Sequence, residues 1–449
     1  MDKNILGYEK TSVLLRKFAV PSIVAMLVSS LYNIVDQIFI GQGVGYLGNA
    51  ATNVAFPLTT ICLAISLLIG VGCAAGFSLE LGAGNKDKAE HYVKNALGMA
   101  LIFGLLYLIV ILVFLRPMLK VFGATGDIIE YAVDYTRITA FGMPVLVATN
   151  VLSNLIRADG GPSYSMICMI VGAVINTLLD PLFIFVFKLG MAGAAWATII
   201  GQYFSFFAAL MYLKKFKSIK LSGKLLEFKI KTWLKIASLG MSNNLNQVAI
   251  TIVQIVLNNS LTYYGALSVY GSEIPLAGCG IVMKVNSILI SVFVGLAQGS
   301  QPIIGFNYGA KKYDRVKDTY KKAILTSICI GFIGFLLFQI IPETIVALFG
   351  KGDALYIEFS VKFMKIFLFM IAFTGVQIIS SNFFSAIGKP LKGVFLSLTR
   401  QVIFLIPLLL ILPLLFGIDG VMFSGPVSDS IAATICFVMV MIEFKKMNK

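Results

Sequence analysis

Residues 93–115 read VKNALGMALIFGLLYLIVILVFL. Beyond Lys94 the stretch carries no charge, and at a helical rise of about 1.5 Å per residue it reaches across a hydrocarbon layer roughly 30 Å thick. Eleven further stretches of the same character lie near 17–41, 52–80, 131–157, 163–187, 190–213, 233–262, 274–300, 321–341, 357–387, 393–416 and 420–443. The fold class that follows is an all-α polytopic membrane protein with twelve transmembrane helices. Composition agrees: 58% of the 449 residues are hydrophobic and 13% charged, against about 25% charged in soluble domains. So few charges cannot cover a particle dissolved in water, and lipid must solvate most of the surface. The longest polar interval, 214–235, is long enough only for a linker.

The formal net charge is +15, but its placement argues against nucleic acid as a partner. The basic residues stand in short clusters between apolar runs, as topology-setting loops do. With the N-terminus in the cytoplasm, 28 of the 36 lysines and arginines fall on one face, in 1–18, 82–95, 157–162, 213–235, 307–322, 388–400 and 443–449. The opposite loops hold Arg116, Lys120, Lys188 and Lys351. Both termini are therefore expected in the cytoplasm, with the chain in the cell (plasma) membrane. The opening MDKNILGYEK lacks a signal peptide's apolar core and cleavage site, so the first helix is expected to stay attached. Cys62, Cys73, Cys168, Cys279, Cys329 and Cys436 all sit in apolar stretches, read here as small packing residues. His91 reads as a solvated loop residue.

The two halves repeat each other. Asp87-Lys-Ala-Glu-His-Tyr-Val-Lys-Asn-Ala aligns with Asp314-Arg-Val-Lys-Asp-Thr-Tyr-Lys-Lys-Ala at a spacing of 227. Arg157-Ala-Asp-Gly-Gly-Pro aligns with Ser385-Ala-Ile-Gly-Lys-Pro at 228, and Gly190-Met-Ala-Gly-Ala with Gly417-Ile-Asp-Gly-Val at 227. Common order and spacing make residues 1–222 and 223–449 two pseudo-symmetric six-helix lobes. Six being even, the repeats share one orientation, with a central cavity between them suited to alternating access.

Charged residues at membrane depth are costly and read as functional. The first helix carries Asp36, the fifth Asn176 and Asp180 one turn apart, and the sixth Thr198. Counted from the helix ends, Asp36, Asp180 and Thr198 lie roughly 8–12 Å below the outer surface. Two neighbouring carboxylates in low dielectric repel, so a proton or a cation must come between them. H⁺ or Na⁺ can do so, which makes Asp36, Asn176, Asp180 and Thr198 the expected cation- or proton-coupling site and the expected Na⁺ ligands. The second half differs, since the position matching Asp36 is Gln254. It holds instead Lys284, Arg400 and Asp429; Lys284 or Arg400 is expected to neutralise Asp429, as a structural pair or as a gate. Pro21, Pro407 and Pro413 each remove a backbone donor, so kinks are expected there.

Asn33-Ile-Val-Asp36-Gln-Ile-Phe-Ile-Gly41, Arg157-Ala-Asp-Gly160 and Asn176-Thr-Leu-Leu-Asp180-Pro181 together resemble the multidrug and toxic compound extrusion (MATE) family, most closely its bacterial DinF-like and MepA-like branch. The resemblance covers essentially the whole chain. It implies export of amphipathic, often cationic compounds against inward flow of H⁺ or Na⁺, with the coupling site on Asp36, Asn176, Asp180 and Thr198. It also implies a bend at Pro21 and a cavity-facing role for Asn150. Another branch of the family carries acids in the seventh and tenth helices. Here those helices have Asn243, Asn244, Gln254 and Gln377 without a carboxylate, which puts a second coupling site of that kind in doubt.

The expected function is thus a secondary active antiporter exporting amphipathic, cationic organic compounds in exchange for H⁺ or Na⁺. A flippase for lipid-linked sugars or another amphipathic lipid is the alternative. Partners are expected to be small organic substrates and membrane lipids, with a monomeric chain, no cofactor beyond the coupling ion, and no enzymatic reaction.

Overall fold

Backbone amides in hydrocarbon find no water to bond, and helices answer that demand along this chain. A computed structural model describes residues 4–124, 128–347 and 354–447, with no strand among them; Lys3, Lys351 and Lys449 of the charge distribution lie outside them. In the amino-terminal lobe the spans are α1 Thr11–Gly43, α2 Tyr46–Gly82, α3 Lys86–Val121, α4 Ile128–Ala158, α5 Pro162–Val186 and α6 Gly190–Met211. In the carboxy-terminal lobe they are α7 Ile230–Ala266, α8 Glu273–Gly309, α9 Tyr313–Ile340, α10 Ala354–Phe367 with Ile371–Ala386, α11 Pro390–Phe416 and α12 Ile418–Met447. Ten of these are long and apolar enough to cross a membrane on their own, and α10 qualifies as a pair bent by 50°. The remaining helix, α7, has the length at 37 residues. Its apolarity is diluted by Asn243, Asn244, Asn246, Gln247, Gln254, Asn258 and Asn259.

The repeat is visible in backbone torsions. Gly84 and Lys311, Gly160 and Gly388, and Gly190 and Gly417 all have left-handed φ between 55° and 89°, and each pair stands at the spacing of 227 or 228 read from the sequence. The break in α4 at Ala140–Gly142 recurs at the break in α10 before Ile371. The expected proline effects are uneven. A π-helical stretch, Thr399–Leu405, precedes Pro407 and absorbs its missing donor, whereas α1 runs as a single helix through Pro21.

The lobes meet on the side of the chain termini, and small residues let their backbones approach. A Cβ on Gly82 would lie 2.0 Å from the Phe306 carbonyl oxygen, and one on Gly309 would lie 2.1 Å from that of Leu79. Residues 82 and 309, and 79 and 306, are repeat equivalents, so this contact is its own two-fold mate. Gly72 against Ile236 and Gly240 against Leu68 are equally tight, at 2.0 and 1.9 Å. α1 and α8 run antiparallel in the same seam, through Ala19 at Gly299, Ile23 at Gly295 and the 2.6 Å hydrogen bond of Ser30 with Ser291. The N-terminal turn Ile5–Gly7 is strapped across it, with Leu6 O accepting from Asn307 Nδ2 at 2.9 Å and Gly7 O from Lys312 Nζ at 2.8 Å. Towards the other side the helices part: Asn33 and Ile38 of α1 are exposed, and a Cβ on Gly280 of α8 would meet nothing within 4 Å. The space between the lobes is a cleft open away from the termini.

The 214–235 interval is more than a tether. Its backbone is pinned to α3 and to the end of α4: Ser222 O accepts from Lys94 Nζ, Lys229 N donates to Asn95 Oδ1, and Lys217 N and Ser218 N donate to Asp159. His91, expected to be solvated, meets the Glu227 carboxylate at 2.7 Å. Partial burial pushes the Glu227 pKa up, but His91 and Lys229 outweigh it and hold the group below its ordinary value.

The seam yields a direct expectation. Gly240→Val and Gly309→Val overpack a backbone-to-backbone contact, costing about 1–3 kcal/mol, and should move the population away from the cleft-open state roughly 5- to 150-fold. Maleimide labelling of Ser78→Cys, fully buried at the seam, in a Cys329→Ser background should then speed up. Gly280→Ala, which fills open space, should leave labelling slow.

Candidate coupling site in the amino-terminal lobe

Close helix packing sets the site. A Cβ on Gly201 of α6 would lie 2.6 Å from the Gly172 carbonyl oxygen of α5, so the two helices nearly touch there. The same face of α5, one and two turns further on, presents Asn176 and Asp180. Asn176 Nδ2 donates to Asp180 Oδ1 and to Thr198 Oγ1, both at 3.4 Å, and Thr198 Oγ1 donates back to Ala194 O at 3.0 Å. From α1, Asp36 reaches into the same space, its carboxyl close enough to that of Asp180 for one shared proton to complete a hydrogen bond. The structure thus brings the side chains of Asp36, Asn176, Asp180 and Thr198 together inside the lobe.

The cluster is buried and short of protein partners. Asp36 is 9% exposed, Asn176 3% and Asp180 0%. Asp36 Oδ1, Asn176 Oδ1, Asp180 Oδ2 and Gln202 Oε1 are buried oxygens without a hydrogen-bond donor. No basic side chain is paired with either acid among the described ion pairs. Each unmet oxygen costs about 1–3 kcal/mol, so the group is organised around something that supplies positive charge or protons. Beside it a cavity of about 50 Å³, lined among others by Tyr32, Asn150, Asn176, Thr198, Gln202 and Ser205, has room for a small ion and water.

Asn150 lines this cavity, its amide nitrogen donating to Leu146 O at 3.0 Å. Tyr32, Tyr135 and Gln202 were not singled out from the sequence. Tyr32 precedes Asp36 by one turn and Gln202 follows Thr198 by one turn, so i, i+4 spacing could have found both. Tyr135, which reaches Thr198 from α4, carries no such signal. Pro21 lies far down α1, in the seam between Ala19 and Ile23. The Arg157-Ala-Asp-Gly160 motif is architectural: buried Arg157 bonds Asn154 and Ser165, and Asp159 takes the linker's amides and the Tyr212 hydroxyl.

The other lobe arranges its charges differently. Arg400 Nε donates to Asp429 Oδ1, and Thr374 Oγ1 donates to the other carboxylate oxygen at 3.2 Å, all of them buried. Arg400, then, is the partner of Asp429, and Lys284 takes no part in the pair. Gln254 bonds Asn258 at 2.9 Å along α7. Among the described residues no group of three or more His, Cys, Asp or Glu has the geometry to hold a metal.

Comparison with known proteins fits this architecture. A family model described as MatE matches twice, over residues 21–182 and 249–411, once in each lobe. The multidrug export protein MepA of Staphylococcus aureus (strain MRSA252) is 25% identical over 442 residues, covering 98% of this chain and 96% of that protein. MepA of Staphylococcus haemolyticus (strain JCSC1435) is 26% identical over 446 residues with the same coverage. The crystal structure of MATE in complex with MaL6 superposes with a TM-score of 0.92 over 100% of this chain and 99% of that chain, at 21% identity, a likeness of fold.

The buried Arg400–Asp429 pair predicts a stability effect. Asp429→Asn strands a buried guanidinium and should destabilise the protein by about 3–5 kcal/mol. Joining it with Arg400→Gln should recover much of that loss. Thermal unfolding in detergent micelles checks both; unchanged stability in the single variant would show the pair to be dispensable.

Proposed function

This chain belongs to the MatE family of multidrug efflux transporters, and from that premise we propose that it is a secondary active antiporter. It exports amphipathic organic compounds, cations among them, in exchange for H⁺ or Na⁺. It works as a single chain in the plasma membrane with both termini cytoplasmic, the charge asymmetry of its loops supporting that orientation. The observation that carries the reading is the face-to-face placement of Asp36 and Asp180 among oxygens without donors, inside one lobe and beside a small cavity. The full-length relatives are exporters, which favours export over lipid flipping.

The mechanism follows from where α1 lies. One face carries Asp36 against Asp180 of α5, and another forms the seam with α8 at Ala19, Ile23 and Ser30. With the cleft open outward, a proton or Na⁺ enters the cavity, bridges the carboxyls and removes their repulsion. α1 then draws closer to α5, bending at Pro21, where the backbone ladder already lacks a donor. The displacement reaches the seam and narrows the cleft, so substrate leaves outward as the ion binds. Substrate and ion compete through one helix, which is what exchange requires.

Asp36→Asn and Asp180→Asn are each expected to lower gradient-driven efflux of a fluorescent organic cation at least tenfold, since the bridging charge is lost, while the protein still inserts. Thr198→Ala should weaken ion dependence less. Purified protein in liposomes, under Na⁺ and pH gradients imposed separately, reads all three. Wild-type efflux by Asp36→Asn would refute the assignment.

A further inference from the structure

Of the two expected partners of Asp429, Arg400 pairs with it and Lys284 does not. That leaves a lysine inside a membrane helix without an assigned partner. It is exposed, and no hydrogen bond or ion pair of its amine occurs among the described residues. It sits roughly 16 Å along α8 from the outer end at Glu273, too deep for its stem to carry the charge to the membrane surface. A cation at that depth facing lipid would be strongly disfavoured.

Helical phase shows which way it faces. Lys284 precedes Ser291 by about two turns and Gly295 by about three, which puts all three on one stripe. Ser291 and Gly295 touch α1 in the seam, so the stripe looks across at the amino-terminal lobe. Beyond Ser291 the seam has opened: Ser287 is exposed, and the Gly280 position, one turn outward from Lys284, faces empty space. Lys284 therefore stands on the wall of the open cleft, in water. Beside it α7 carries Gln247, Thr251, Gln254 and Asn258 on the face continuing from seam residue Gly240, a neutral hydrogen-bonding strip.

The opposite wall completes the electrostatics. Asp36 and Asp180 are buried behind α1 within their own lobe rather than laid open in the cleft. Along the outer halves of α1, α2, α7 and α8, the exposed charged side chains among the described residues are Lys284 and, at the outer tip of α8, Glu273. A solute in the cleft meets one positive charge, set among amides and apolar surface.

We propose that Lys284 is a specificity-determining residue which binds an anionic group of the transported compound, so that amphiphiles bearing a carboxylate, alone or beside a cationic group, are taken in preference to otherwise identical cations. The proposal deepens the export reading and rests on it. An ammonium in a cleft with low-dielectric walls attracts a carboxylate more strongly than it would in bulk water. The same charge repels a solute that is only cationic.

The test uses one xanthene dye as its methyl ester, a cation, and as the free carboxylic acid, a zwitterion, with binding to purified protein read by fluorescence anisotropy. The wild type should hold the acid about tenfold tighter than the ester. Lys284→Gln should erase that preference mainly by weakening the acid, Lys284→Arg should keep it, and Lys284→Glu should invert it. Equal affinity for the two dyes in the wild type, or an unchanged ratio in Lys284→Gln, overturns the proposal. Lys284 touches neither carboxyl of the coupling site, so ion dependence of transport in liposomes should persist in Lys284→Gln. Loss of gradient-driven transport of both dyes in the wild type would instead sink the export reading.

Discussion

Two carboxyl groups facing each other inside a helical lobe cannot both be charged and bare. Even at an effective dielectric of about 20, unit charges 4 Å apart repel by about 4 kcal/mol, comparable to the whole margin by which many folds are stable. Asp36 and Asp180 escape that cost only with a proton or a cation between them. Because they hang from different helices, the occupant also fixes how closely α1 lies against α5. A chemical event is thereby tied to the position of one helix.

That helix is shared. α1 belongs to the amino-terminal lobe by its packing and to the carboxy-terminal lobe by its seam with α8. The seam is built from glycines and small residues whose backbones approach within van der Waals limits, so it cannot adjust gradually. It is either docked or parted. The symmetric pair Gly82–Phe306 and Gly309–Leu79 is its own two-fold mate across the seam, so its two halves dock or part together. The strap from the N-terminal turn to Asn307 and Lys312 holds the docked side shut from outside the bilayer.

Much of this was readable from residues alone. The spans were legible because hydrocarbon thickness imposes one length on every helix, and the repeat because insertions between matched loops are few enough to keep a spacing of 227 or 228. Asp36, Asp180 and Thr198 were legible because polarity at membrane depth is rare and their distances from the helix ends coincide, and Asn176 because it stands one turn from Asp180. What could not be read was rotation. Lys284 and Arg400 are equally plausible partners for Asp429 in sequence, and only the packing of α11 against α12 decides for Arg400. The linker's attachment to α3 was hidden for another reason: it depends on backbone amides meeting Glu90, Asn95 and Asp159, and backbone donors leave no trace in composition. Tyr135 was hidden likewise, since an aromatic in a membrane helix has many ordinary reasons to be there.

The halves have kept their backbone and lost their chemical equivalence. At the repeat spacing of 227, Asn176 falls on Ile403, Asp180 on Pro407 and Thr198 on Gly425; the first helices of the two halves align at 218, Ala19 with Ala237, which sets Gln254 opposite Asp36. None of these counterparts can ionise, and the buried charges of the second lobe, Arg400 and Asp429, satisfy each other. Were both lobes to carry an unmatched acid pair, each would need its own ion to pack, and the seam between them would answer to two occupancies at once. With the acids confined to one lobe and a neutralised pair in the other, the proposed exchange needs a single binding event to set the state of the molecule. The second lobe is then free to present amides and one lysine to whatever crosses the cleft. In the exchange we propose, coupling and recognition are divided between the two halves, and α1, packed against both, is the element that links them.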